Sequence, residues 1–69
     1  MKNSIKVERA KINITQAQLA LLAQVSRQTI NAIELGKYNP STILALKMAK
    51  VFNARVEDIF QLEEADWNS

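Results

Sequence analysis

Arg27, Gln28, Thr29, Asn31 and Ala32 fall together in the short run RQTINA. Arginine can bond bidentately to guanine and glutamine to adenine, each good pair contributing about 1–3 kcal/mol of discrimination between bases. Such side chains can probe base edges only if they leave one face of a helix whose other face is held. The spacing provides this, because Ile30 and Ile33 turn inward and leave these five residues outside. Bond-making chemistry is poorly supplied. The chain has no cysteine and no histidine, which removes thiolate nucleophiles, the usual zinc ligands and the commonest general base. Glu34 is a lone carboxylate near this run, with no second carboxylate to work with. No catalytic site, metal or cofactor is expected, and the chain does not read as an enzyme.

A probing helix needs firm ends. Ser26 caps it and Gly36, the single glycine, ends it, which predicts a helix over residues 27–35. A second helix precedes it. Thr15 with Gln18 three residues on forms a capping box, and Leu19, Ala20 and Ala23 make a narrow core stripe of mostly small residues. Leu21 and Leu22 fall outside the stripe, as surface leucines or as part of a contact with a partner. Gln24 stands at the turn between the helices, where glycine is usual; a left-handed backbone there costs a residue with a Cβ roughly 1 kcal/mol more. Val25 plugs the turn into the core. Two capped helices joined by a tight turn make a helix-turn-helix over residues 15–35.

The flanking segments are read as further helices. Residues 4–11 form one, with Ser4 as its N-cap, and Asn13 follows where the chain must turn left-handed. Lys37, Tyr38 and Asn39 form a loop closed by Pro40. Ser41 caps a fourth helix to Phe52, with Ala45, Met48, Ala49 and Phe52 as its core stripe. Ile43, Leu44, Leu46 and Val51 widen that helix's apolar surface, while Lys47 and Lys50 stay in water. Asn53 stops it. A short last helix over residues 56–60 has Glu57 and Asp58 in its first turn, where the helix dipole favours them, and Ile59 and Phe60 to bury. Residues 61–69 lack helical pattern and read as a tail or a dimer strand; Trp67 is a loose tail aromatic or a dimer contact.

A chain of 69 residues has room for one domain, residues 1–69, around one small core. Without disulfide staples a core of this size often gains stability by oligomerising, so a dimer is expected. No apolar run approaches the ~20 residues of a membrane span, and the N-terminus has no signal-peptide pattern, so a cytoplasmic location is expected. Charge is strongly segregated. Residues 1–55 hold all nine basic side chains against two acidic ones, a net +7, and residues 56–69 carry −5, for the overall +2. A basic body attracts phosphate, and an acidic end should lie away from it.

The runs TQAQLA from Thr15, VSRQTINAIE from Val25 and GKYNPS from Gly36, continuing through ALKMAKVF to VEDIF, resemble the Cro and C1 phage-repressor family. Its bacterial members are often called xenobiotic-response-element-type regulators, and the nearest likeness is to short stand-alone repressors. The resemblance covers nearly the whole chain. It implies an all-α, five-helix, lambda-repressor-like fold, with a small terminal β pairing of residues 1–3 and 60–62 as found in the short members. It also implies that the third helix enters the major groove of double-stranded DNA, with Arg27, Gln28, Asn31 and Ala32 at the base-reading positions and Thr29 beside them. Thr15 and Gln16 match a helix start that meets a phosphate, and Lys37, Tyr38 and Asn39 match a loop on the DNA backbone. Arg9 and Glu34 match a structural ion pair. The sequence departs from the family pattern at Gln24, at Arg55 in place of a small cap, at Glu8 on a usually apolar position, and at Leu21 and Leu22.

The expectation is a homodimeric, sequence-specific DNA-binding repressor on a palindromic operator, with no small-molecule effector. The alternative is a protein-binding module, such as an antitoxin, in which Leu21, Leu22, Ile43, Leu46 and Trp67 serve a heterologous surface and DNA binding is secondary.

Overall fold

A computed structural model describes residues 1–68. Five α-helices are clasped at one end by a two-stranded sheet. The order is β1 (Lys2–Asn3), α1 (Ile5–Lys11), α2 (Gln16–Ala23), α3 (Arg27–Glu34), α4 (Thr42–Phe52), α5 (Val56–Ile59), β2 (Phe60–Gln61) and a closing 3-10 turn (Glu64–Trp67). The strands pair antiparallel within the chain, Lys2 opposite Gln61 and Asn3 opposite Phe60. The terminal pairing implied by the family likeness is therefore present, shorter by a residue on each side.

Helix ends follow local chemistry closely. Thr15 Oγ1 accepts the Gln18 N–H at 3.0 Å, and Gln18 Oε1 accepts the Thr15 N–H at 2.8 Å, the reciprocal box expected from the sequence. Ser26 and Ser41 cap α3 and α4 in the same way, accepting from Thr29 and Leu44. Replacing Thr15 by alanine removes one arm of the box and should cost about 1 kcal/mol, read as a lower thermal midpoint by circular dichroism.

At the other ends, α1 to α4 share one device. Asn13, Gln24, Gly36 and Asn53 all have positive φ. In each case the N–H of the next residue reaches back to the carbonyl five residues earlier, as in Val25 to Ala20 and Lys37 to Ala32. These are Schellman closures, in which a left-handed residue satisfies the last carbonyls of a helix. Gln24 is left-handed, at φ 63 and ψ 42, so the Cβ penalty expected there applies. Its side chain gives something back: Gln24 Oε1 accepts from Lys47 Nζ at 3.1 Å, and the same ammonium lies 3.5 Å from the Ala23 carbonyl. A cation at that helix end opposes the dipole's negative pole.

One core forms behind these ends, from Ile5, Leu19, Ala20, Ala23, Ile30, Ile33, Leu44, Met48, Phe52, Ile59 and Phe60. Several expectations are corrected. Ser4 does not cap α1; its hydroxyl donates to the Asp58 carbonyl at 3.0 Å, and Asn3 Oδ1 instead accepts the Ile5 N–H at 3.3 Å. The chain has been turned by β1, so the residue one step earlier meets the helix start. Leu44 belongs to the core, while Ala45 and Ala49 only flank it, because the buried face of α4 runs through Leu44, Met48 and Phe52 between α2 and α5. Lys47 is half-buried, held by its contacts with the end of α2. The last α-helix stops at Ile59, since Phe60 enters β2. The stretch expected to lack helix winds into the 3-10 turn at Glu64–Trp67; its final residue, Ser69, lies outside the described residues. In that turn Glu63 and Asp66 hold the N-terminal ammonium at 2.9 and 3.2 Å, and raise its pKa above the ordinary value.

Candidate nucleic-acid interface

With about 100° of rotation per residue in an α-helix, the side of α3 opposite Ile30 and Ile33 is centred on Gln28, with Asn31 and Ala32 on either hand. Arg27, Gln28 and Asn31 are exposed, and Thr29 and Ala32 are half-buried at the margins. Thr29 is also spoken for, its hydroxyl lying 2.9 Å from that of Ser26 in the cap. Arg27 and Gln28 make no side-chain hydrogen bond or ion pair among the described residues, so their polar groups are open to a ligand.

The helix carrying them is fixed at both ends. At the start, Ser26 caps it. At the finish, Gly36 has φ +77 with open space where a Cβ would stand, so backbone conformation rather than crowding favours glycine. Asn3 Nδ2 adds a bond of 2.8 Å to the Ile33 carbonyl. Sequence reasoning missed this contact from β1, since nothing local to Asn3 points to a partner thirty residues away.

Beside α3 sits a partly buried polar network. Arg9 Nε donates to Glu34 Oε2 at 2.7 Å, Nη2 donates to Glu34 Oε1 at 3.1 Å, and Nη1 donates to the Ile14 carbonyl at 3.1 Å. The two side chains are 14% and 9% exposed. Such a fork-to-fork bond fixes geometry as well as contributing energy. The Glu34 carboxylate holds the Arg9 guanidinium pKa above its ordinary value. Gln16 joins the network from α2, its Nε2 donating to Glu34 Oε1 at 3.2 Å and to Asn31 Oδ1 at 3.1 Å. Three helices are thereby tied together at the edge of the exposed face.

The profile of a family described as helix-turn-helix matches residues 5–59, the stretch that holds α1 to α5. The chain belongs to the helix-turn-helix family of the Cro/C1 type. It is 53% identical over 66 residues to an uncharacterized HTH-type transcriptional regulator of Archaeoglobus fulgidus, covering 96% of this chain and 93% of that one. A similarly described regulator of Methanocaldococcus jannaschii is 56% identical over 64 residues, with 93% and 97% covered. One of Bacillus subtilis is 48% identical over 64 residues, also with 93% and 97% covered.

In this helix-turn-helix chain, α2 is the first helix of the motif and α3 the second. The N-terminus of α2 has two N–H groups that the capping box does not use, those of Gln16 and Ala17, because the box takes Thr15 and Gln18. Lys37, Tyr38 and Asn39 are exposed in the loop after α3. No helix among the described residues is long and apolar enough to cross a membrane.

Proposed function

We propose that the chain is a sequence-specific DNA-binding transcriptional regulator, acting as a repressor, that binds a palindromic operator as a homodimer with α3 in the major groove. The observation that carries this reading is the outward face of α3, where Arg27 and Gln28 have polar groups with no partner among the described residues, on a helix fixed at both ends. Asn31 and Ala32 complete the base-reading set, with Thr29 at its margin. Around it, the Gln16 and Ala17 N–H groups offer a phosphate site beside Thr15, and Lys37, Tyr38 and Asn39 offer contacts to the backbone. Arg9 and Glu34 act structurally. The net charge of +7 over residues 1–55 favours the same partner.

The homodimer has its support in an apolar groove of about 210 Å³ between α4, α5 and the N-terminus, lined by Met1, Ala45, Leu46, Val56 and Phe60 among others. On α4, Leu46 in this lining and Ile43 are both exposed. On a palindromic operator the two copies would lay their α3 helices in successive major grooves about 34 Å apart. Sedimentation at micromolar concentration is expected to show a dimer, and a monomer at that concentration would count against the assembly.

Two substitutions separate base reading from backbone contact. Gln28→Ala should relax sequence preference at one operator position, costing about 1–3 kcal/mol on the preferred site. Lys37→Ala should weaken binding evenly across sequences and lower the salt slope by about one. If both variants bind a selected site as the parent does, α3 is not the reading helix.

A further inference from the structure

The carbonyl of Ile33 lies in the last turn of α3, where no later turn of the same helix can satisfy it. Two donors share it. The Gly36 N–H, part of the left-handed closure, reaches it at 3.0 Å, and Asn3 Nδ2 arrives from β1 at 2.8 Å. The other end of the Asn3 amide is also occupied, since Oδ1 accepts the Ile5 N–H at 3.3 Å. A backbone N–H can only donate and a carbonyl can only accept, so these two partners fix which way round the amide stands.

The strand behind Asn3 leaves it little freedom. Asn3 pairs with Phe60, and the next residue, Ser4, donates its N–H to the Ile59 carbonyl at 2.8 Å and its hydroxyl to the Asp58 carbonyl at 3.0 Å. One amide on a fixed strand thus ties the terminal sheet and the first turn of α1 to the end of α3. The exposed loop begins at that end. Lys37 closes α3 by donating its N–H to the Ala32 carbonyl at 2.9 Å, and the same residue starts the run through Tyr38 and Asn39.

We propose that Asn3 is a positioning residue for DNA contact, which holds the Ile33 carbonyl to the terminal sheet and so sets where the loop of Lys37, Tyr38 and Asn39 meets the sugar-phosphate backbone. This rests on the DNA-binding reading above. Backbone contacts position a protein on the duplex and carry no sequence information directly. Loss of Asn3 therefore weakens binding at all sequences alike and leaves the base preference of Arg27 and Gln28 in place.

The test compares the whole chain with Asn3→Ala, measuring affinity for a selected site against salt concentration at a temperature where circular dichroism shows both to be folded. Asn3→Ala should bind about tenfold more weakly with the same preferred sequence, and its salt slope should fall by about one as the Lys37 contact is lost. In a double-mutant cycle, Asn3→Ala should cost clearly less in a Lys37→Ala background than in the parent, because both changes remove the same contact. Without DNA, the Gly36 and Lys37 amides should exchange with solvent about fivefold faster, as expected for one lost hydrogen bond. Asn53 and Ala54, which close α4 in the same way, should keep their parental rates. Asn3→Asp serves if Asn3→Ala does not fold, because an ionised carboxylate still accepts from Ile5 but cannot donate to Ile33. Its charge-matched control is Lys2→Ala on the same strand, and Asn3→Asp should bind more weakly than this control. Asn3 variants that bind as tightly as the parent and the control overturn the inference and leave the DNA-binding reading intact. So does strict additivity with Lys37→Ala, or faster exchange at all four amides alike, which marks a general loss of stability. A parent chain that enriches no sequence overturns the DNA-binding reading and this inference together.

Discussion

Ile30→Ala is expected to lower the stability of the chain by about 3–4 kcal/mol, measured by urea denaturation. Ile30 is completely buried, in a core that also holds Leu19, Ala23 and Met48. Truncation removes its transfer free energy and leaves a cavity that closely packed helices cannot fully close. The loss is large against the total. At roughly 0.05–0.15 kcal/mol per residue, a chain of this length has about 3–10 kcal/mol in all. At the lower end of that range much of the population should be unfolded, and DNA binding should fall with it. Leu21→Ala is the matched control on α2. Leu21 is 80% exposed, so its truncation should change stability by less than about 0.5 kcal/mol. If Ile30→Ala behaves like Leu21→Ala, α3 is not anchored by this core.

Glu34→Ala should have a comparable effect by a different route. It leaves the guanidinium of Arg9 largely enclosed without its charge partner, which costs roughly 3 kcal/mol when an enclosed pair is broken from one side. It also removes one of the two acceptors that hold Gln16. The cost belongs to the orphaned charge more than to the bond itself, and that distinction is measurable. In a double-mutant cycle, Arg9→Ala with Glu34→Ala should destabilise by clearly less than the sum of the single changes. Strict additivity would mean that the two side chains do not act as a pair.

Much of this fold was legible because its signals are short-range. A capping box needs only Thr15 and Gln18, and a left-handed stop needs only an asparagine or glycine after a helical stripe, so helix boundaries came out within a residue or two. Gln24 shows where a local rule bends: the left-handed turn is present without glycine, and its cost is offset in part by Lys47, which reaches it from α4. That help comes from 23 residues away and leaves no mark beside Gln24. Ser4 departs from its local rule for the same reason. A serine before a helical run has the look of a cap, but β1 places it against α5, where the Asp58 carbonyl claims its hydroxyl. Leu44 reads from the sequence only as a widening of the apolar surface of α4, because a helix with apolar residues on most sides does not reveal which face its neighbours will cover.

The interface shows the same division. The outward set on α3 follows from the positions of Ile30 and Ile33 alone, and the Arg9–Glu34 pair was suggested by family likeness. What the sequence could not express is hydrogen-bond direction. The likeness places Gln16 at a phosphate contact, and the bonds of its amide nitrogen to Glu34 and Asn31 become visible only when α1, α2 and α3 are brought together.

In the proposed assembly α3 reads DNA as one half of a symmetric pair. Selection of binding sites from a random DNA library tests it most directly, because one measurement reports affinity, half-site sequence and spacing. The predicted result is an inverted repeat whose half-site centres lie about 10 base pairs, one helical turn, apart, with Gln28→Ala losing preference at one mirrored position in each half. Enrichment of no sequence, or of a site whose preferences are unchanged by substitution of Arg27, Gln28 and Asn31, would contradict it.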